Sequence, residues 1–177
     1  MPINDYDGTS WSDIGKIHDY DGTTWRQIAK AYDNDGTTDT LIYSAEEQLF
    51  PIGLSFEVGG TNSLYCSVTS TSLKAVSSKN NTNGNCHSTT TIDCSQYDKL
   101  IFTVSARSAS GNGGTWVGVA STGYADTNNS YVAYAAVSGT GDFTVDISGQ
   151  TGELYVVLSA WGSTGAASIT VSKIIAE

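Results

Sequence analysis

The chain has only two histidines, His18 and His87, so side chains that titrate near neutral pH are scarce in it. His18 lies inside a repeated segment, and His87 follows an Asn-rich stretch over residues 80–85. Neither histidine lies near a nucleophile elbow, the strand-to-helix turn that presents an attacking serine. We therefore expect both to be satisfied surface side chains rather than general bases.

Carboxylate chemistry of the glycosidase type needs two acidic groups held at a set separation. Sequence alone brings no two acidic residues of the second half together, and two of them, Asp142 and Asp146, are more simply read as turn and solvent-face residues. The chain also has no Walker motif and no dinucleotide fingerprint. We expect no enzymatic activity and no cofactor. The acidic candidates are Asp93, Asp98, Asp126, Asp142, Asp146 and Glu153.

The cysteines are Cys66, Cys86 and Cys94, an odd number that cannot all pair within one chain. Cys86 and Cys94 are close enough in sequence for a hairpin disulfide in an oxidising compartment, while Cys66 could bridge across strands instead. Reduced or part-buried cysteines are the simpler expectation. A zinc site of Cys86, His87 and Cys94 is not expected, because adjacent residues on a strand point to opposite faces.

The N-terminal part of the chain contains an internal repeat with a spacing of 14 residues. Residues 5–14 are matched by residues 19–28 and more weakly by residues 33–42, which lack the Tyr and the Trp. Each copy centres on Asp-Gly, a pair favoured in type I′ turns, so we expect a small β-meander that reverses at each copy. A short helical turn in each repeat is the alternative.

The Asp-x-Asp-Gly core of each copy is similar to the start of a calcium-binding loop. None of the copies places a Glu where the closing bidentate ligand belongs. We therefore expect these aspartates to form turns and to bind no metal.

From about residue 46 onward, apolar residues recur at every second position between Gly- and Asn-rich turns. About nine such runs predict an all-β, antiparallel two-sheet sandwich with jelly-roll connections. The domain boundaries we expect are 1–45 for the repeats and 46–177 for the sandwich. The predicted core comprises Leu100, Phe102, Val104, Phe143, Val145, Ile147, Leu154, Val156 and Leu158.

The charge of the chain limits its partners. The formal net charge is -10, with only eight Lys and Arg residues. Nucleic acids and anionic membrane surfaces both need clustered cations, so we expect neither as a partner.

Outward aromatic residues are the remaining candidates for a binding surface. If Val117 and Val119 face the core, then Trp116 faces outward, and the same alternation puts Tyr155 and Trp161 on the other side of their strand from the core. Aromatic rings stack on the apolar faces of sugars, so these three are candidate glycan-binding residues. Alternatively, Trp161 caps the core and Trp116 lies in a subunit contact.

The repeats resemble the short Tyr-Asp-Gly-x-x-Trp repeats that open many virion proteins of phages and prophages. The resemblance rests on residues 6–11 and 20–25, each followed by an Ile and a basic residue. In such proteins the repeats look like an adaptor attached to a variable β-rich domain. Because aromatic residues are the usual centres of interface energy, the expected docking residues are Tyr6, Trp11, Tyr20 and Trp25.

The second half looks like the jelly-roll modules of carbohydrate-binding and galactose-binding-like domains, on the strength of residues 97–104 and 167–174. The two resemblances imply a non-enzymatic phage virion structural protein, tail-associated or capsid-decorating, whose repeats dock on the particle and whose sandwich is displayed. Its expected partners are other virion proteins, further copies of itself and a host-surface glycan. The alternative is a carbohydrate-binding module of a bacterial surface or secreted protein, and an accessory domain of a hydrolase is a third hypothesis.

Overall fold

The computed structural model of the chain divides into two compact units, residues 1–47 and residues 48–176. No helix among its described residues is long and apolar enough to cross a membrane. The structure describes residues 4–6, 11–13, 18–20, 25–27, 30–34, 39–44, 47–58, 65–77, 82–123, 125, 130–162 and 164–177.

The described residues of the repeats form antiparallel two-stranded hairpins, one in each copy. The strands are β1 (Asn4–Tyr6), β2 (Trp11–Asp13), β3 (His18–Tyr20), β4 (Trp25–Gln27), β5 (Lys30–Asn34) and β6 (Asp39–Ser44). Strand β1 pairs with β2, β3 with β4 and β5 with β6. The Tyr and Trp of a copy are cross-strand partners, Tyr6 with Trp11 and Tyr20 with Trp25.

The described part of the repeats is therefore strand rather than helical turn, but each copy pairs only within itself there, instead of forming one continuous meander. The predicted Asp-Gly turns lie outside the described residues. For the predicted docking residues Tyr6, Trp11, Tyr20 and Trp25, the structure describes the backbone only.

The second unit is a two-sheet sandwich, as the alternation predicts. The first sheet has the strand order β16-β13-β18-β10-β9 with β7 also on β18, and the second has β15-β14-β17-β11-β8 with β12 also on β17. A 3-10 turn at Cys94–Gln96 follows β12. The strands are β7 (Glu47–Phe50), β8 (Phe56–Val58), β9 (Tyr65–Val68), β10 (Leu73–Ser77), β11 (Thr82–Ser88), β12 (Ile92–Asp93), β13 (Lys99–Ala109), β14 (Gly114–Ala120), β15 (Ala133–Ala136), β16 (Gly141–Asp146), β17 (Glu153–Gly162) and β18 (Ala167–Ala176).

The connections make this sandwich a jelly roll. Strands β10, β18, β13 and β16 are neighbours in the first sheet, and β11, β17, β14 and β15 are neighbours in the second. Taken in chain order, these eight strands alternate between the two sheets, except that β14 is followed by β15 in the same sheet. This is the strand connection of a jelly roll. The predicted jelly-roll architecture is confirmed.

The core lies between the two sheets and contains the residues that the alternation selects. All the predicted core residues are buried except Phe143, which is half-buried. Phe143 lies on β16, the edge strand of its sheet, where no further strand covers its flank.

The alternation of core-facing and outward-facing residues along β13 breaks in the second half of the strand. The β13–β18 register shifts between Val104 and Ala106, so the residues after the bulge change faces. Ala106 is exposed, whereas Arg107 is half-buried and its Nε donates a hydrogen bond of 3.3 Å to Oγ1 of Thr115 on the opposite sheet. The bulge thus creates a polar link between the two sheets.

A disulfide joins Cys66 of β9 in the first sheet to Cys86 of β11 in the second. Cys94 is buried and free, and burial raises the pKa of its thiol to about 11. The simpler expectation of reduced cysteines is therefore wrong, and so is the hairpin pair of Cys86 with Cys94; the cross-strand bridge through Cys66 is the one that forms. Cys86 faces the interior, while the adjacent His87 faces the opposite side of β11.

The stretch from Glu47 to Val58 forms two strands, β7 and β8, with a turn between them. Proline has no amide hydrogen to donate to a sheet, and Pro51 begins the turn that ends β7. Gly53 in this turn has a φ of 113°, a backbone conformation that favours glycine.

Candidate functional site

The outer face of the second sheet, the side turned away from the core, carries all three candidate glycan-binding residues. Trp116 lies on β14, and Tyr155 and Trp161 lie on β17, which is the neighbour of β14. All three are half-buried. The residues that alternate with outward-facing ones along β14, such as Val117 and Val119, are buried in the core. The strand alternation therefore places these aromatic side chains as predicted.

The pairing of β14 with β17 sets the positions of the two tryptophans on this face. Trp161 is the cross-strand partner of Gly114, and Trp116 is the partner of Ser159. A Cβ atom built on Gly114 would lie 2.3 Å from the Cη2 atom of Trp116, so the indole occupies the space above this glycine. The absence of a side chain at Gly114 is what lets the indole of Trp116 lie along its own strand, over this glycine.

Strand β11 adds a row of polar side chains to the same face. Asn83, Asn85 and His87 alternate with residues that face the core, such as Cys86. Asn85 is fully buried and is the cross-strand partner of Ser159, which is also fully buried. The sequence does not predict a strand here, because asparagine is uncommon in strands. The signal that could have revealed one is the spacing of Asn83, Asn85 and His87 at every second position.

Two described residues between β14 and β15, Ala125 and Tyr131, lie over the middle of this face. Nδ2 of Asn85 donates a hydrogen bond of 2.7 Å to the carbonyl oxygen of Ala125. The hydroxyl of Tyr131 lies 2.8 Å from that of Ser159. We call Ala120, Ala125, Tyr131 and Val157 the outer-face cluster; Trp116 and Tyr155 pack against it.

His87 lies at the edge of the covered region. Its side chain is 12% exposed, and Nε2 is 3.2 Å from Oε1 of the exposed Glu57. Its ring also meets the ring of Tyr155 edge to face, with 5.8 Å between the centroids. The expected surface histidine is therefore largely buried, because Gly123 lies against it so closely that a Cβ there would be 2.4 Å from Cδ2.

Some of the acidic candidates form local turns at the surface. Asp93 accepts hydrogen bonds from the hydroxyl and backbone amide of Ser95, and these bonds lower the pKa of the carboxyl. Asp146 does the same with Ser148, so its pKa is also lowered. Asp142, likewise exposed, accepts a bond of 2.7 Å from the hydroxyl of Thr103.

Asp93 and Glu153 are cross-strand partners in the β12–β17 pair. Among the described residues, no other strand pair places two of the acidic candidates opposite each other. Glu153 accepts a hydrogen bond from the hydroxyl of Thr91. Asp126 lies outside the described residues. A carboxyl that acts as a general acid needs a raised pKa, whereas that of Asp93 is lowered.

The part of the chain that the structure describes holds no group of three or more His, Cys, Asp or Glu side chains that could bind a metal ion. The arrangement that does suit a ligand is the outer face, which carries two tryptophans together with buried amide and hydroxyl groups. No protein-family model matches the chain, and no curated protein matches its sequence.

Proposed function

We propose that the chain is a non-enzymatic phage virion structural protein, tail-associated or capsid-decorating, whose repeats dock on the particle and whose sandwich is displayed. The observation that carries the proposal is the division into two units with different construction. The first unit consists of tandem hairpins with the Tyr and Trp of each intact copy in cross-strand register. The second is a jelly roll with its own core.

Short hairpins are marginally stable by themselves and gain order from a surface that they contact. A unit built from repeated hairpins therefore suits docking on a repetitive particle, where several weak contacts act together. The sandwich has no comparable need, because its core is enclosed by two sheets. This difference supports an adaptor role for the repeats and a display role for the sandwich.

The proposal is tested by the binding of the full chain to purified particles, measured by cosedimentation. Trp11→Ala and Trp25→Ala should each weaken binding, because aromatic anchors contribute most to interfaces. Trp116→Ala is the matched control, since it removes the same side chain from the sandwich. Equal binding by all three variants would contradict the docking role.

A second candidate function is that of a carbohydrate-binding module in a bacterial surface or secreted protein. It is favoured by the placement of Trp116, Tyr155 and Trp161 on one sheet face. Under this function, Trp116→Ala or Trp161→Ala abolishes retention on a host polysaccharide, and removal of the repeats has no effect. Under the virion function without glycan recognition, the same variants leave particle binding intact.

A further inference from the structure

Strand β15, Ala133–Ala136, is the last strand of the second sheet, and in the described part of the chain it pairs with β14 on one side only. Both ends of the strand are fixed to β14. The backbone N–H of Val132 donates a hydrogen bond of 2.8 Å to the carbonyl oxygen of Val119, and that of Val137 donates one of 2.9 Å to Thr115. The hydroxyl of Thr115 in turn donates a bond of 3.0 Å to the carbonyl oxygen of Val137. The edge is therefore held in place before any partner binds, which lowers the entropic cost of binding.

The hydrogen bonds between β15 and β14 determine where the other backbone groups of β15 point. In an antiparallel pair, residues that bond across the pair alternate with residues that direct their N–H and C=O away from it. The bond from Val137 to Thr115 flanks the pair of Ala136 with Trp116, which is therefore a non-hydrogen-bonded pair. The N–H and C=O of Ala136 thus point outward from the sheet edge, toward the place where a further strand would pair.

The side chains around β15 make this edge apolar. Among the described residues, four large hydrophobic side chains are exposed, and two of them, Val132 and Tyr134, lie directly before β15 or on it, each 43% exposed. Ala136 continues the same alternation and is also exposed. Residues 127–141 include no charged residue, although the chain has eight Lys and Arg and 18 Asp and Glu. Sheet edges of soluble proteins commonly carry charges that discourage pairing with another chain, and this edge has none.

The other edge strands differ from β15. Strand β16, at the end of the first sheet, carries Asp142 and Asp146, and β8, at the far end of the second, carries Glu57. Strand β9 is uncharged, but Val68 is the one exposed large hydrophobic side chain among its described side chains, and Cys66 bonds it to the opposite sheet. Strand β15 is therefore the edge that best suits a further strand.

The charge of the chain indicates which strand pairs there. With a net charge of -10, two copies of the chain repel each other over most of their surfaces, and the repulsion is least where a neutral edge meets another. An antiparallel strand pair is also self-complementary about a two-fold axis, because each copy offers the other the same donors, acceptors and side chains. A second copy of the chain thus matches both the backbone and the charge of this edge.

We propose that two copies of the chain pair antiparallel through β15, which joins their second sheets into one continuous sheet. Tyr134 and Ala136 then lie beside the same residues of the second copy. The strand is short, so the contact buries less than the ~1,200 Å² of a stable interface, and we expect a Kd between about 10 µM and 1 mM in solution. The inference goes beyond the proposed function, because edge pairing needs no particle. On a particle that holds copies side by side, the same weak contact would become durable.

The test is a dilution series of the full ¹⁵N-labelled chain, from about 1 mM to 10 µM, which spans the expected Kd. We expect the rotational correlation time to rise with concentration, and the amide signals of Ala136 and its neighbours to shift in step with it. These readouts use the unaltered protein, so they do not depend on whether a variant folds. A correlation time and β15 signals that stay constant over the whole series would show that the inference is wrong.

A charged variant and its neutral counterpart then test the edge. Tyr134→Glu places like charges near each other across the pair and should weaken association at least about tenfold. Tyr134→Gln has nearly the same shape as the glutamate variant without its charge, and should associate more tightly than that variant. Val68→Glu adds the same charge to the edge strand β9 and should associate like the unaltered chain.

A proline variant tests the backbone pairing. Ala136→Pro removes an N–H that faces away from β14, so the bonds within the sandwich are kept while a donor to the second copy is lost. Association should weaken at least about tenfold, a loss comparable to one or more hydrogen bonds. Ala136→Thr keeps the N–H and suits a strand, so it should associate like the unaltered chain. Thermal unfolding of each variant checks that the sandwich is intact.

The outcomes decide between this edge and other contacts. If association is lost in Tyr134→Glu and Ala136→Pro but kept in Val68→Glu and Ala136→Thr, the pairing through β15 holds. If Val68→Glu removes association while Tyr134→Glu does not, the copies pair through β9 and the inference is wrong. If every variant associates like the unaltered chain, the contact between copies lies elsewhere and the inference is also wrong. Particle binding is measured separately by cosedimentation, so failure of the inference leaves the proposed function standing, and the reverse.

Discussion

The indole of Trp116 lies directly above Gly114, two residues earlier on the same strand, and fills the space that any other residue would need for its side chain. The same glycine is the cross-strand partner of Trp161. One missing side chain therefore determines where the indole of Trp116 lies on the outer face, and the candidate site depends on it.

Gly114→Ala should disturb this arrangement and destabilise the fold. The new methyl group would lie 2.3 Å from Trp116 unless the indole moves, and overpacking of this kind costs roughly 1–3 kcal/mol. Gly139→Ala is the matched control, because a Cβ there meets nothing within 4 Å. Urea unfolding gives the free energies, and equal stability of the two variants would show that Trp116 does not occupy the position described.

Phe102→Ala should cost about 3–5 kcal/mol of unfolding free energy, as is usual for a large-to-small change in a core. Phe102 is fully buried between the sheets. Val68→Ala on the edge strand β9 serves as the comparison, because that side chain is 44% exposed. A cost below about 1 kcal/mol for Phe102→Ala would place this ring outside the core.

Reduction of the Cys66–Cys86 disulfide should destabilise the sandwich by about 3 kcal/mol, since the bond closes a loop with a sequence separation of 20 residues. Thermal unfolding with and without a phosphine reductant measures the effect. Cys66→Ser should melt at the same temperature in both buffers, near that of the reduced parent. A melting temperature of the parent that does not respond to the reductant would contradict the bridge between the sheets.

The turns at Asp93 and Asp146 should make stability fall in acid. Their hydrogen bonds to Ser95 and Ser148 lower each pKa below the usual 3.8. A carboxyl with a lowered folded-state pKa stabilises the fold fully above its unfolded-state pKa, and this contribution is lost as the pH falls through the folded-state value. The difference in melting temperature between the parent and Asp93→Asn should therefore be larger at pH 6 than at pH 2. A difference that grows in acid would have the wrong sign for this interaction.

The strands that could be predicted from the sequence are those in which apolar residues alternate strictly with polar ones. Leu100 and Phe102 on β13 and Val156 and Leu158 on β17 follow this rule, because each strand buries one face against the opposite sheet. The same alternation correctly turns Trp116 and Trp161 away from the core. The bulge near Ser105 could not be foreseen, since it depends on the pairing of β13 with β18 rather than on the composition of β13.

The positions of Asn85 and His87 on the outer face could not be predicted from the sequence, for a different physical reason. Asparagine and glycine have low β-propensity, so residues 82–88 read as a loop. They form a strand because β11 lies between β8 and β17, which provide backbone partners on both sides. The burial of Asn85 and His87 then follows from a segment distant in sequence, the connection through Gly123 and Ala125.

The most direct test of the central proposal is the particle binding of the chain without its repeats. Residues 46–177 should still give a folded sandwich, seen as a cooperative thermal transition and a far-ultraviolet spectrum dominated by β-structure, but should no longer cosediment with the particles that the full chain binds. A truncated sandwich that joins particles as well as the full chain does would contradict the docking role of the repeats.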